Sequence, residues 1–253
     1  MTEKTIYSDL TDEHLAAAIE HAFDANAVPP AVREHRESYI TLTRMLLEFN
    51  SHTNITAITD PARLAVLHYC DSLTVSAELG EGARVADIGC GGGFPTLPLA
   101  IARPDLSITA IDSTAKKLKF VDAAAAALEL AGVRTLPIRA EDGGHDPILR
   151  ESFDHVTARA VASLPILCEL CLPYLRVGGT FCAMKGPRGD DEAEAARRAI
   201  ETLGGKLCAV RRPILRGIED ETPERTIIII RKISATPKTY PRAYGKIKQK
   251  PLI

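Results

Sequence analysis

The sequence predicts an α/β fold: a seven-stranded, mostly parallel sheet covered by helices on both faces, closing in an antiparallel hairpin and preceded by a helical segment. Three observations predict it. From Ala83 onward, short apolar runs alternate with helix-like stretches, the pattern of a parallel sheet. The first run ends in Asp87 and enters a turn carrying Gly89, Gly91, Gly92 and Gly93. The last two runs are separated only by the turn-rich stretch from Arg216 to Glu224. A connection without a helix implies an antiparallel pair rather than a crossover.

The elements follow in chain order. Thr11 with Asp12 and Glu13 makes a helix start, and Leu15, Ile19 and Phe23 follow at helical spacing. Pro29 and Pro30 break the chain. A second helix carries Tyr39, Leu42, Met45, Leu46 and Phe49 at spacings of three and four, up to a polar break at 50–54. A third helix is expected from Pro61 to about Leu79. Strands are expected at 83–89, 107–112, 134–140, 153–159, 179–185, 206–214 and 225–232. The clearest helix between them runs from Lys116 to Ala131, alanine-rich, with Gly132 as its stop. These readings divide the chain into a helical region (1–80), an α/β domain (81–233) and a basic tail (234–253).

Composition narrows the class. The chain has 253 residues, 45% hydrophobic and 25% charged, and a net charge of −2, which is ordinary for a globular protein and excludes a polycation. No run reaches the ~20 apolar residues that span a bilayer, and the first ten residues lack the apolar core of a secretion signal. A cytoplasmic protein with no membrane partner is expected. Six cysteines fit that compartment as free thiols. Cys168-x-x-Cys171 lies in an apolar helical run with no second Cys or His pair nearby, so it reads as core and no metal site is expected. The tail carries Lys238, Arg242, Lys246, Lys248 and Lys250 and no acid. It is either a solvated tail or a phosphate contact.

The glycine turn is the most specific local feature. Glycines let the backbone turn sharply and approach a ligand closely, and the next strand ends in a second acid, Asp112, where a nucleotide fold meets a ribose. A dinucleotide fingerprint is G-x-G-x-x-G. Counted from Gly89 its third glycine falls on Phe94, and from Gly91 on Thr96, so both registers fail. No P-loop sequence is present either. A bare strand-to-helix turn is the alternative. An acid two residues before the first glycine resembles motif I of the class I S-adenosylmethionine-dependent methyltransferases, whose Rossmann-like sheet has the predicted plan.

In an open α/β sheet, ligands bind beyond the carboxyl ends of the strands. Here those ends carry Asp87, Asp112-Ser113, Ala140-Glu141, Arg159 and Lys185-Gly186. Together with Asn54-Ile-Thr56, His68-x-x-Asp71-Ser72, Arg159-Ala-Val-Ala-Ser163 and Glu224-Arg225, they resemble the bacterial 16S ribosomal RNA guanine-N7 methyltransferases, the glucose-inhibited division protein B family, over roughly residues 38 to 253. Thr96 stands where that family commonly has glycine, and Phe49-Asn50 where tryptophan-asparagine is usual.

The resemblance implies S-adenosylmethionine as cofactor and N7 of a guanine in 16S ribosomal RNA as methyl acceptor, in the small ribosomal subunit or an assembly intermediate, by a monomer. It implies cofactor contacts at Asp87, Gly89, Gly91, Gly93, Phe94, Asp112, Ala140, Glu141 and Arg159. It implies His68, Asp71, Ser72, Arg159 and Lys185 around the acceptor. On spacing alone, His68, Asp71 and Ser72 share a helix face, which is equally a hydrogen-bonded helix-to-sheet contact. Lys116 and Lys117 are either RNA contacts or a solvated helix start. The alternatives are a small-molecule or protein methyltransferase, or a non-catalytic ribosome-binding module.

Overall fold

The apolar runs from Ala83 onward pair into one sheet. The computed structural model describes residues 10–253, so the start of the chain, read above for a secretion signal, lies outside the described residues. The strands are β1 (Arg84–Ile88), β2 (Ser107–Ile111), β3 (Val133–Leu136), β4 (Phe153–Arg159), β5 (Leu175–Lys185), β6 (Gly205–Arg211) and β7 (Thr226–Lys232). Their order is β3-β2-β1-β4-β5-β7-β6. The pairs β1–β2, β1–β4, β2–β3 and β4–β5 are parallel, and β7 is antiparallel to both β5 and β6. β7 is therefore internal, and its four consecutive isoleucines are buried. A continuous apolar run, not an alternating one, suits a strand covered on both faces.

Helices α1 (Asp12–Ala25), α2 (Pro30–Arg33), α3 (Arg36–Thr53), α4 (Pro61–Leu64) and α5 (Asp71–Leu73) precede the sheet. Tyr39 ties them to the helix after β1, packing edge-on against Phe23 at 5.1 Å and donating its hydroxyl to the Pro98 carbonyl at 3.1 Å. Between and after the strands lie α6 (Thr96–Ala102), α7 (Ala115–Ala127), α8 (Ala140–Gly143), α9 (Leu164–Cys171), α10 (Gly189–Ala195), α11 (Arg197–Thr202) and α12 (Tyr244–Gln249). Cys168 and Cys171 are both buried in α9. No helix among the described residues is long and apolar enough to cross a membrane.

Five sequence expectations change, the first being β5, which begins at Leu175 rather than 179 because Leu175 already pairs with Phe153 ahead of an irregularity in the ladder. β3 stops at Leu136 rather than 140, because Pro137 has no N–H for the ladder and Ala140 already opens α8. β6 stops at Arg211, short of Pro213, for the same reason. α7 ends at Ala127, and Glu129 rather than Gly132 takes the left-handed turn, with φ of 54°. Gly132 serves close packing instead: a Cβ there would lie 2.3 Å from the Leu106 carbonyl oxygen. The helix expected from Pro61 to Leu79 is broken into α4, a π-helical turn over Ala65–Cys70, α5, and a 3₁₀ turn over Ser76–Glu78.

Candidate functional site

The loop after β1 is held from behind and from the side. Gly89, with φ of 71°, passes under Val161, and a Cβ on it would come within 2.6 Å of a Val161 methyl. Gly91, with φ of 55°, faces open space. Its N–H donates to Asp112 Oδ2 at 3.0 Å, while the Thr114 N–H donates to Oδ1 at 2.7 Å. The acid at the end of β2 thus clamps the glycine loop. Asp87 acts from beneath. It is buried and accepts the hydroxyls of Thr96 (2.7 Å) and Thr157 (3.1 Å), joining β1 to α6 and β4. Burial pushes its pKa up to about 6 against the opposing pull of those hydroxyls and of Arg159. Thr96, the departure noted above, is one of the two groups that satisfy this acid.

A cavity of about 240 Å³ opens between the β1 and β2 ends. Its lining includes Gly89, Asp112 and Ser113 after β1 and β2, Ile138, Arg139, Ala140 and Glu141 after β3, and Val161, Leu170 and Tyr244 from later in the chain. Asp87, Gly91, Gly93 and Phe94 are not among its lining residues. Gly93 packs on Leu97, where a Cβ would lie 2.7 Å from a methyl. Phe94 stacks on His68, ring centroids 4.3 Å apart and planes 16° apart.

A second cavity of about 480 Å³ lies beyond β4 and β5, lined by His68, Asp71, Arg159, Lys185, Arg188, Glu192 and Arg225 among others. The π-helical turn brings His68 and Asp71 to Arg159. The Arg159 guanidinium donates through Nη1 to the Leu67 carbonyl (2.8 Å) and Asp71 Oδ2 (3.1 Å), and through Nη2 to His68 Nδ1 (3.2 Å). It also lies 5.6 Å from the Phe94 ring centroid. Asp71 Oδ1 pairs with Arg225 Nε at 3.1 Å, so one buried carboxylate joins two arginines.

Lys185 donates to the Ala162 carbonyl (2.6 Å) and pairs with Glu192 at 2.8 Å. Burial, then the Arg159 charge, lowers the His68 pKa to about 3, so the ring is neutral at physiological pH. Because Nδ1 accepts from a guanidinium, which has no acceptor, the ring proton sits on Nε2 and points to Thr56 Oγ1, 2.9 Å away. Ser72 does not reach the cavity: its buried hydroxyl donates to the His68 carbonyl one turn back, at 2.5 Å.

One backbone position separates the cavities. Ala160 has a left-handed φ of 55°. It sends Arg159 into the β4–β5 cavity and Val161 into the β1–β2 cavity. The two sites therefore meet at the carboxyl ends of β1 and β4, beside the point where strand order reverses, the expected binding crevice of an open α/β sheet.

A family model described as rRNA small subunit methyltransferase G matches residues 35–214. The chain belongs to the rRNA small subunit methyltransferase G family. It is similar to the protein of Lactobacillus johnsonii named ribosomal RNA small subunit methyltransferase G, 44% identical over 223 residues, 87% of this chain and 92% of that one. The Clostridium beijerinckii protein of the same name is 40% identical over 87% of this chain and 92% of its own length.

Among solved structures, a S-adenosylmethionine-dependent O-methyltransferase from Thermotoga maritima matches with a TM-score of 0.50 at 15% identity, over 76% of this chain and 72% of that one. The geranyl diphosphate C-methyltransferase of Streptomyces coelicolor, solved with S-adenosyl-L-homocysteine, matches with a TM-score of 0.51 at 15% identity, over 65% and 79%. These two likenesses concern the fold. The chain is an S-adenosylmethionine-dependent methyltransferase with the class I sheet.

This methyltransferase chain uses residues that sequence reading had left without a role. Arg225 belongs to the Glu224-Arg225 pair of the resemblance, to which the sequence attaches no contact. Because β7 runs antiparallel, its beginning lies at the carboxyl end of β5, and Arg225 meets Asp71 there. Arg188 follows β5 into the same cavity, three residues past Lys185. Val161 and Tyr244 in the other cavity gave no local signal. The donor set of the β1–β2 cavity fits S-adenosylmethionine: a glycine backbone open to close approach, a strand-end carboxylate and the acidic Glu141 for hydroxyls and amines, and apolar Ile138, Ala140 and Leu170 for a ring.

Proposed function

We propose that this chain transfers a methyl group from S-adenosylmethionine to N7 of a guanine in 16S ribosomal RNA of the small ribosomal subunit. In this reading the β1–β2 cavity holds the cofactor, with Asp112 at the ribose and Ala140-Glu141 beside the base. The bound cofactor supplies an electrophilic methyl on a sulfonium. The β4–β5 cavity receives the guanine.

The observation that carries the reading is the electrostatic character of that second cavity. Its acids are already paired, Asp71 with two arginines and Glu192 with Lys185. Its histidine is neutral, with its acceptor nitrogen occupied. Among the described residues, each group there that could take a proton is already engaged by a cation. Guanine N7 needs none taken: it attacks with an in-plane lone pair, the N–C bond forming as the S–C bond breaks. Catalysis is then mainly alignment, an effect worth several kcal/mol. Four cations, Arg159, Lys185, Arg188 and Arg225, face two acids across the cavity, which suits a polyanionic substrate. Asp71 is a positioning residue, holding Arg159 and Arg225 in one geometry. The relatives' names support the choice of ribosomal RNA.

The test is a map of N7-methylguanine in 16S ribosomal RNA from cells with and without this gene. One site should disappear on deletion and return with the wild-type chain but not with Arg159→Met. An unchanged map refutes the proposal.

A further inference from the structure

The chain after β7 does not leave the domain. It runs back over α8 and α9 and brings Tyr244 into the lining of the β1–β2 cavity, which Ala140, Glu141 and Leu170 also line. Several side chains from the domain grip this strap, among them Glu151, which accepts from the Thr236 N–H at 2.8 Å. Glu169, fully buried in α9, accepts from the Arg242 N–H and Nε–H at 2.8 Å each on one oxygen and from Nη2 at 2.6 Å on the other. Arg150 donates to the carbonyls of Thr236 (2.8 Å) and Tyr240 (2.9 Å). His145 Nε2 lies 2.7 Å from the Pro241 carbonyl. Downstream, Ile247 is buried against α9 and its neighbours. The sheet is complete without this segment, yet a buried carboxylate is spent on fixing it two residues before Tyr244. Burying a charge is costly unless it is paired, so Arg242 and Glu169 must stay together, and the strap stays with them.

We propose that Tyr244 is a binding residue for the adenine of S-adenosylmethionine, lying against the base from the open side of the cavity, with the Glu169–Arg242 pair as its positioning device. The inference rests on the assignment of this cavity to the cofactor. Its place in the cavity selects the base rather than the amino-acid end. Three residues before Tyr244, Pro241 packs on Gly144 and its carbonyl meets His145, so the strap enters at the α8 end that carries Ala140 and Glu141, whereas the glycine loop follows β1. The residue is still over one-third exposed, at 37%, so its ring gains burial when a flat partner docks. No hydrogen bond among the described residues engages its hydroxyl, so the ring is the functional part.

The experiment is calorimetric titration of the full chain with S-adenosylhomocysteine, and in parallel with 5′-methylthioadenosine, which shares the adenine and ribose but lacks the amino acid. Tyr244→Ala should weaken both ligands by about tenfold, the scale of one aromatic–base stack. Tyr244→Phe should stay within about twofold of wild type. Arg242→Gln should weaken both ligands, and the double variant should bind no worse than Tyr244→Ala, because the two residues act on one contact. Melting of unliganded Tyr244→Ala should match wild type, which separates a lost contact from a damaged fold. The proposal is overturned if Tyr244→Ala binds both ligands like wild type, or loses only S-adenosylhomocysteine. If the wild-type chain binds neither ligand, the cofactor assignment fails first and takes the proposal with it. Should Arg242→Gln not fold, the two Tyr244 variants decide alone.

Discussion

Asp71→Asn isolates the most concentrated charge arrangement in the β4–β5 cavity. The wild-type carboxylate spans Arg159 and Arg225 with contacts of 3.1 Å on each oxygen, and its side chain is only 6% exposed. An asparagine keeps the shape but removes the charge, leaving two guanidinium groups facing a neutral amide. Removing one partner of a buried pair costs about 3–5 kcal/mol. The arginines retain some solvent, at 16% and 25% exposure, so screening lowers the expected cost to about 2–3 kcal/mol. For a chain of this size, roughly 2–4 °C is lost per kcal/mol, so the melting temperature should fall by about 5–10 °C. Guanidinium denaturation and thermal melting measure the first effect. Binding of S-adenosylhomocysteine should hold within about threefold, since the carboxylate is outside the β1–β2 cavity proposed for the cofactor, while methyl transfer to small-subunit RNA should fall by at least about tenfold. A stability loss under about 0.5 kcal/mol with full turnover would refute the bridging role and with it the positioning argument.

Two further outcomes follow from the glycine loop. Gly89→Ala places a methyl 2.6 Å from Val161 at a φ of 71°, a left-handed conformation costing roughly 1–2 kcal/mol for a non-glycine residue. It should weaken S-adenosylhomocysteine binding by at least about tenfold in titration calorimetry, and unchanged affinity would count against the loop's contact with the cofactor. For Asp87, burial raises the folded pKa to about 6 from 3.8, so between these values the unfolded chain releases a proton that the folded chain retains. Its contribution to stability therefore falls as pH rises from about 4 to 6 and is flat above, by up to about 3 kcal/mol. Asp87→Asn should lose this slope in denaturant titrations, and an identical slope in both proteins would show that another group causes it.

Much of the fold was legible because it depends on local patterns. β4 runs over Phe153–Arg159, as its apolar run indicated, and the glycine loop and both strand-end acids stand where spacing put them. What was not legible depends on which strand lies beside which. The antiparallel pairing of the last two strands followed from their short connection, but the insertion of β7 between β5 and β6 did not, because no local residue encodes a neighbour. The contacts of Arg225 and Tyr244 were hidden for the same reason: each reaches its cavity from a distant part of the chain. The π-helical turn escaped because apolar spacings of three and four fit an α-helix equally well, and its wider turn shows only in the hydrogen bonds. Ser72 shows the limit of shared-face reasoning, since a small hydroxyl beside a cavity can instead satisfy its own helix.

The left-handed residue at Ala160 has a bearing on how this chain can vary. Arg159 and Val161 belong to different cavities only because a single φ between them turns the chain. Side chains along this stretch can be exchanged within limits of size and charge. Its length cannot change, because one residue more or fewer would put the arginine's position on the valine's side. Chimeras between related chains, or laboratory insertions, should therefore be accepted in the exposed Arg216–Glu224 connection and rejected between β4 and α9. The boundary between the two cavities is kept by the count of residues as much as by their identity.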